Sequence, residues 1–229
     1  MKQFKLIALV LIVSIIATSC GTMSNAAKGG IIGGAAGAAV GAGIGVLAGD
    51  GKGAAIGAAI GGAVGGTAGV LIGNKMDKQK AELEKIEGAK VETVTDVNNL
   101  KGIKVTFDNG ILFATGRSEL NASSKSTLLK FAESLRNTPE TDITIYGHTD
   151  NTGSREFNVK LSLQRAVAVA GFLNTNGVEM KRMTTEGKAW DMPVGDNTTV
   201  EGRALNRRVE VYITANETMI KEAEEGSLQ

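Results

Sequence analysis

The sequence predicts an α/β fold, a β-α-β-α-β-β sandwich with a mixed sheet and its helices on one face, preceded by a glycine-rich helical hairpin. Three observations predict it. From Val91 onward, short runs alternate apolar and polar residues, as half-buried strands do. Between those runs lie two longer stretches whose apolar residues recur three and four positions apart, the period of amphipathic helices. Ahead of them all, glycine returns at every fourth position.

Composition narrows the function classes. The formal net charge is +1, so no basic face for phosphate binding is indicated, and aromatics at 4% leave few platforms for base stacking. Nucleic acid is therefore not an expected partner. With 1 Cys and 1 His, an internal disulfide is excluded and an ordinary zinc site has too few ligands. No cofactor is implied.

Residues 1–19 have the three parts of a secretory signal: Lys2 and Lys5, an apolar core from Leu6 to Ala17, and small residues before Cys20. Residues 20–28 form a short linker behind that cysteine. Residues 29–74 contain two glycine series. Gly29, Gly33, Gly37, Gly41, Gly45 and Gly49 precede Asp50-Gly51-Lys52; Gly53, Gly57, Gly61, Gly65, Gly69 and Gly73 follow it. Such small-xxx-small faces let helix backbones approach closely, and the charged turn marks a hairpin. Each arm is about 21 residues, roughly 30 Å as a helix, which matches a bilayer core. A flexible linker would carry no strict period, and a water-exposed helix would lose about 1 kcal/mol per glycine relative to alanine. Residues 75–90 then become strongly charged, with Met76, Leu83 and Ile86 thinly spread, and read as a solvated helical spacer ended by Gly88.

The globular domain is expected over residues 91–216. Val91–Thr95 and Ile103–Phe107 read as paired strands around Asn98-Asn99 and Gly102, and Asn109-Gly110 turns the chain into Ile111-Leu112-Phe113. Leu120 to Asn137 reads as a helix with Asn121 as its cap, Leu128, Leu129, Ala132 and Leu135 on the buried face, and Pro139 just beyond. Asp142–Tyr146 is the next strand. From Ser154 the pattern is helical, with Val159, Leu163, Ala166, Ala170 and Leu173 as the apolar stripe. A short strand near Met183–Gly187 and a last one over Val209–Thr214 complete the sheet, and residues 217–229 read as a frayed polar tail.

Between strand and helix lies Gly147-His148-Thr149-Asp150-Asn151-Thr152-Gly153, followed by Asn158, Leu161-Ser162 and Arg165-Ala166. Asp150 falls on a loop past a strand end, where binding residues concentrate. Asn158, Ser162 and Arg165 share one helix face. An Asp and an Arg held close together suit a ligand with both an ammonium and a carboxylate, because guanidinium binds carboxylate through two parallel hydrogen bonds. By chemistry alone the same two residues also fit a structural or surface ion pair.

That motif resembles the core signature of the OmpA-like peptidoglycan-binding domain family, and Gly202-Arg203-Ala204-Leu205-Asn206-Arg207-Arg208-Val209-Glu210 resembles its closing signature. The resemblance implies non-covalent binding of the diaminopimelate of peptidoglycan stem peptides. It assigns the amino and carboxylate groups to Asp150 and Arg165, with Asn158 in support. Further rim contacts would come from Thr115 and Gly116, in the Phe113-Ala114-Thr115-Gly116 turn, and from Ala204 and Arg207. Ala17-Thr18-Ser19-Cys20 resembles a bacterial lipobox, which implies a lipid on Cys20. The residue after the cysteine is Gly21 rather than the Asp of inner-membrane retention, so outer-membrane sorting is expected. The whole order is similar to YiaD-type glycine-zipper lipoproteins. It implies a lipid-anchored outer-membrane protein with its C-terminal domain in the periplasm, holding the cell wall.

A second reading belongs to another class: glycine hairpins that oligomerise into a pore or stator-like assembly, immobilised on the wall by the C-terminal domain. Within the zipper only Asp50 and Lys52 are charged, and both sit at the turn, which argues against ion conduction. His148 beside Asp150 invites a catalytic reading, but no third group completes an acid–base constellation, so no enzyme activity is expected. Trp190 either packs on the fold, the expected reading, or lines the ligand groove, and Arg208 is expected to pair with nearby acids.

Overall fold

Alternating apolar residues build the sheet, and the sheet sets everything else. The computed structural model describes residues 66–108, 112–114 and 116–228. In chain order these form α1 (Thr67–Leu83), β1 (Ala89–Thr95), β2 (Lys101–Asp108), α2 (Ala122–Asn137), β3 (Thr141–Gly147), α3 (Arg155–Thr175), a 3-10 turn (Met180–Arg182), β4 (Met183–Gly187), α4 (Val200–Asn206), β5 (Arg208–Ala215) and α5 (Glu217–Glu224). The signal segment, Cys20, the hairpin up to residue 65 and Thr115 lie outside the described residues.

The five strands run in the order β1-β2-β5-β3-β4. β3 and β4 are parallel and joined across α3, as a crossover connection requires, while every other pairing is antiparallel. The strand that comes last in sequence therefore sits at the centre. Ile103, Val105 and Phe107 of β2, Ile143 and Ile145 of β3, and Val209, Val211 and Ile213 of β5 are all buried on one face. Lys104, Tyr146, Glu210 and Tyr212 alternate with them on the other, where the two tyrosine rings lie 5.4 Å apart. The helices cover the first face. Phe131 of α2 meets Phe107 of β2 edge-on, with ring centroids 5.3 Å apart.

Two glycines set how closely α3 approaches the sheet. Gly147 ends β3 and pairs with Gly187, which ends β4. A Cβ on Gly147 would lie 2.0 Å from the Ser162 carbonyl oxygen, and one on Gly187 would lie 2.6 Å from Ser162 Oγ. Only glycine at both places lets the first half of α3 press against the strand ends.

Elsewhere the structure departs from the sequence reading. The charged stretch 75–90 is not a solvated spacer. It is mostly the second half of α1, which begins at Thr67 inside the glycine series and buries Ala68, Ile72, Gly73, Met76, Gln79 and Leu83. Ala68, Ile72, Met76 and Leu83 join the same core as the sheet. The expected boundary between residues 74 and 75 therefore falls within one continuous packed helix. The C-terminal stretch is not frayed either. Asn216 caps α5 by accepting from the Met219 N–H at 3.1 Å, and Met219 and Ala223 are buried. In α2 the buried aromatic is Phe131, while Leu129 is half exposed. In α3 the apolar stripe holds only from Ala166 onward. Val159 and Leu163 are exposed, and the buried face there is made of Asn158, Leu161, Ser162 and Arg165. Against the glycine-terminated strand ends, α3 presents polar side chains inward. Among the described residues, no helix is long and apolar enough to cross a membrane.

Candidate ligand-binding site

The inward polar face of α3 meets three loops at the ends of β3 and β4. Past Gly147 the chain is fixed on both sides: the His148 N–H donates to the Arg208 carbonyl at 2.9 Å, and the Thr149 N–H to the Ala189 carbonyl at 2.8 Å. Asp150 comes next and is 7% exposed. Its Oδ1 accepts from the Thr152 N–H at 2.9 Å, a local turn that aspartate favours. Its Oδ2 accepts from Arg207 Nη1 at 2.7 Å. Burial pushes the Asp150 carboxyl up, but the hydrogen bonds from Arg207 and Thr152 outweigh it and hold the group below its ordinary value.

Ser154 caps α3 by accepting from the Phe157 N–H. One turn in, the buried Asn158 amide donates to the Thr152 carbonyl at 2.8 Å and to the Ser154 carbonyl at 3.1 Å. Its role is to hold the loop that carries Asp150. Ser162 accepts from the Ala189 N–H at 3.1 Å and so joins α3 to the loop after β4.

Arg165 is 1% exposed. Its Nε donates to the Arg117 carbonyl at 3.0 Å, and its guanidinium lies 5.5 Å from the centroid of the Phe113 ring. Among the described residues its terminal nitrogens have neither a hydrogen bond nor a carboxylate. Burial lowers its pKa to about 10; the nearby Arg207 charge adds to this and Asp150 opposes it. The loop that supplies the Arg117 carbonyl is closed by an antiparallel bridge between Phe113 and Leu120 and turned by Gly116 at φ 67°.

Arg207, at the end of α4, completes the cluster. Asn206 beside it accepts from the N–H groups of Val194 and Gly195 at 2.7 and 2.8 Å and donates to Asn197 Oδ1 at 2.9 Å, fixing the loop before α4. Arg208 anchors the start of β5. Its Nε donates to Glu210 at 2.7 Å and its Nη2 to the Met192 carbonyl at 3.1 Å. Glu210, itself buried, also accepts from Tyr212 Oη at 3.0 Å. Burial would raise the Glu210 carboxyl, but His148 and Arg208 hold it far below the usual carboxylate range.

The arrangement brings together Asp150, Arg165, Asn158 and Arg207, four of the residues the sequence reading singled out. Asp150 bonds Arg207 and does not touch Arg165. Gly116 forms the turn below Arg165, and Ala204 lies exposed on α4. His148 is 1% exposed, and burial lowers its pKa. Its nearest acid is Glu210, at 3.6 Å. Arg208 pairs with an acid, as expected. The sequence reading missed the Phe113 ring and Arg117 carbonyl that seat Arg165, and the buried Glu210. Arg208 and Glu210, two apart in a run of valines, were the available signal, since both point to one face of the strand.

One carboxylate beside two guanidinium groups leaves the cluster with a net positive charge.

The α/β domain that carries these loops and motifs is similar to the OmpA family. Residues 112–207 match the model of the OmpA family, and residues 1–77 match that of the YMGG-like Gly-zipper. Among individual proteins, the chain is similar to the "Probable lipoprotein YiaD" of Escherichia coli, 36% identical over 144 residues, 62% of this chain and 64% of that protein. It is 43% identical to "Outer membrane protein Omp38" of Acinetobacter baumannii over 111 residues, 48% of this chain and 31% of the other. With "Peptidoglycan-binding protein ArfA" of Mycobacterium tuberculosis it shares 40% identity over 103 residues, 45% of this chain and 32% of the other. The chain thus spans about a third of the length of Omp38 and ArfA, and under two thirds of YiaD. Among solved structures, the cell wall anchor of the T6SS from Pseudomonas aeruginosa superposes with a TM-score of 0.52 at 30% identity, covering 62% of this chain and 97% of that one. A putative MotB-like protein from Desulfovibrio vulgaris gives 0.54 at 28% identity, covering 65% and 92%.

Proposed function

We propose that this protein binds peptidoglycan without a covalent bond and ties the outer membrane to the cell wall. The observation that carries the reading is Arg165: a fully buried guanidinium whose terminal nitrogens have no partner among the described residues, next to a carboxylate already held ionised. In a stem-peptide diaminopimelate, one carboxylate meets the Arg165 fork and the adjacent ammonium meets Asp150. Arg207 supplies the second positive charge at the rim, Asn158 fixes the loop, and the Gly116 turn with Ala204 borders the opening. The family resemblance adds Thr115 as a further contact residue. At the other end, a lipid on Cys20 and the glycine-zipper hairpin hold the protein in the outer membrane, with this domain in the periplasm. Each clamp is weak alone, but many of them on one polymer act through effective concentration. Two names among the relatives support the reading, one a peptidoglycan-binding protein and one a probable lipoprotein.

The test is sedimentation with isolated peptidoglycan, using residues 66–229 because α1 is part of the core. The wild-type domain is expected in the pellet, and Asp150→Ala and Arg165→Ala in the supernatant. Equal behaviour of all three removes the clamp.

A further inference from the structure

The two edges of the sheet are unlike. β4 forms one and is 5 residues long; β1 forms the other with 7. Native edge strands are defended by shortness, by proline, by a bulge or by a lone lysine. β1 holds no proline, and it pairs with β2 in unbroken register from Ala89↔Phe107 to Thr95↔Lys101. Its one lysine, Lys90, is followed two places on by Glu92. None of its residues is buried, and among the described residues no strand pairs with its outer side. A row of backbone N–H and C=O groups therefore stands open to another strand.

The side chains say which strand fits. On the helix-free face, Glu92 lies opposite Lys104 of β2 and meets it at 3.0 Å. Lys90, on the same face with its side chain 72% exposed, reaches Glu92 along its own strand, also at 3.0 Å. Hydrogen bonds from Lys104 and Lys90 hold the Glu92 carboxyl below its ordinary value. A second copy brought up by a two-fold axis pairs antiparallel. Because backbone groups alternate in direction along a strand, that axis passes through a residue. Through Lys90 it opposes two lysines, and through Glu92 two glutamates. Through Thr93 it sets Glu92 against Val94, and Lys90 against Asp96, whose buried carboxylate is turned to the Asn98 and Leu100 N–H groups. Only through Val91 does Lys90 of each copy face Glu92 of the other.

We propose that β1 is a homodimerisation edge, pairing antiparallel with β1 of a second copy about a two-fold axis at Val91. Lys90-Val91-Glu92 is complementary to itself in this register, as an isologous interface requires. Glu92 then stands between Lys104 on its own sheet and Lys90 of the second copy. On the helix-covered face Val91, half-buried in one chain, packs against its own mate, and Ala89 against Thr93.

The test is disulfide trapping of the full-length chain in detergent, with Cys20→Ser to leave no other thiol. Val91→Cys is expected to link to its own copy, because opposite residues of an antiparallel pair lie about 4.5–5.5 Å apart at Cα, within disulfide reach. Thr93→Cys, on the same face and more exposed, should not, because it faces Ala89 of the second copy. A mixture of Lys90→Cys and Glu92→Cys chains, changed only at solvent-facing positions, should give the mixed disulfide in excess over either self-link. In the Val91→Cys background, Lys90→Glu and Glu92→Lys should each slow linking by at least about fivefold, since each turns two attractive cross-strand pairs into repulsive ones. Mixing those two variants should restore the link between them. Equal linking at Val91 and Thr93 would mean that the glycine hairpins gather chains without this register, and would overturn the proposal. So would the absence of a link in both cysteine arrangements, which leaves the edge to another strand, or charge reversals whose mixture links no faster than either alone. None of these residues belongs to the Asp150–Arg165 cluster, so either outcome leaves that reading standing.

Discussion

Arg182 and Arg165 are both buried arginines on the edge of the same helix-covered core, and they differ in what their guanidinium groups meet. Arg182, in the 3-10 turn, donates from Nε to the Thr141 carbonyl at 2.7 Å and from Nη1 to the Leu135 carbonyl at 3.0 Å. Its Nη2 donates to the Thr138 carbonyl at 2.9 Å and to Thr141 Oγ1 at 2.8 Å. Every nitrogen is engaged, and the side chain closes the backbone of the α2–β3 turn onto the start of β4. Arg165 is buried at least as deeply, yet only its Nε is bonded among the described residues. A second guanidinium, Arg207, stands near enough to disfavour its charge. Burial therefore does not separate a structural arginine from a binding one; saturation of its donors does.

One substitution made at both positions breaks or confirms that comparison. Methionine keeps the volume and removes the charge. At Arg182 it leaves three backbone carbonyls that had accepted from the guanidinium without that donor. Arg182→Met is expected to destabilise the domain by about 3 kcal/mol, read from the denaturant midpoint. Arg165→Met removes a buried charge that lacks full compensation, and replacing such groups by apolar ones is often neutral or stabilising. Its stability should stay within about 1 kcal/mol of wild type or exceed it, while sedimentation with peptidoglycan is lost. If the two variants lose stability equally, Arg165 is a structural residue and the clamp has no separate basis.

The same contrast explains what the sequence could and could not disclose. The strands were legible because burial on one face leaves a period of two in the residues themselves, and β4 and the Asn121 cap emerge where the sequence reading put them. The Asp150–Arg165 neighbourhood was legible as a motif. Its pairing was not, because Arg207 reaches Asp150 across 57 positions of chain, through a sheet that places the last strand in the middle. The buried face of α3 was misread since its polar residues point inward, against strands that end in glycine. Hydrophobic periodicity has no way to signal a buried helix face made of polar side chains. α1 was hidden for a different reason: Ala68, Ile72 and Met76 repeat every four residues in step with Gly69 and Gly73, so the glycine series masks a core stripe.

Arg207 stands between the two extremes and sharpens the comparison with the smallest effect. Its side chain is 32% exposed and bonded to one carboxylate, whose own exposure is 10%. Asp150 has a lowered pKa in the folded state. A depressed carboxyl contributes stability that is present above its unfolded value of about 4 and is lost as pH falls through the folded value. Arg207→Ala removes the strongest cause of that depression, leaving burial to push the group up. Near pH 7 the variant should therefore be less stable than wild type by about 1 kcal/mol or less, the range for a partly solvated pair. As pH falls through that folded value the difference should shrink toward zero, because the protonated Asp150 no longer distinguishes the two proteins. Unfolding midpoints measured at both ends of that range decide the matter. A gap that does not change with pH would mean that Arg207 acts by packing on the α4 loop, and that the positive charge left over for a ligand's carboxylate belongs to Arg165 alone.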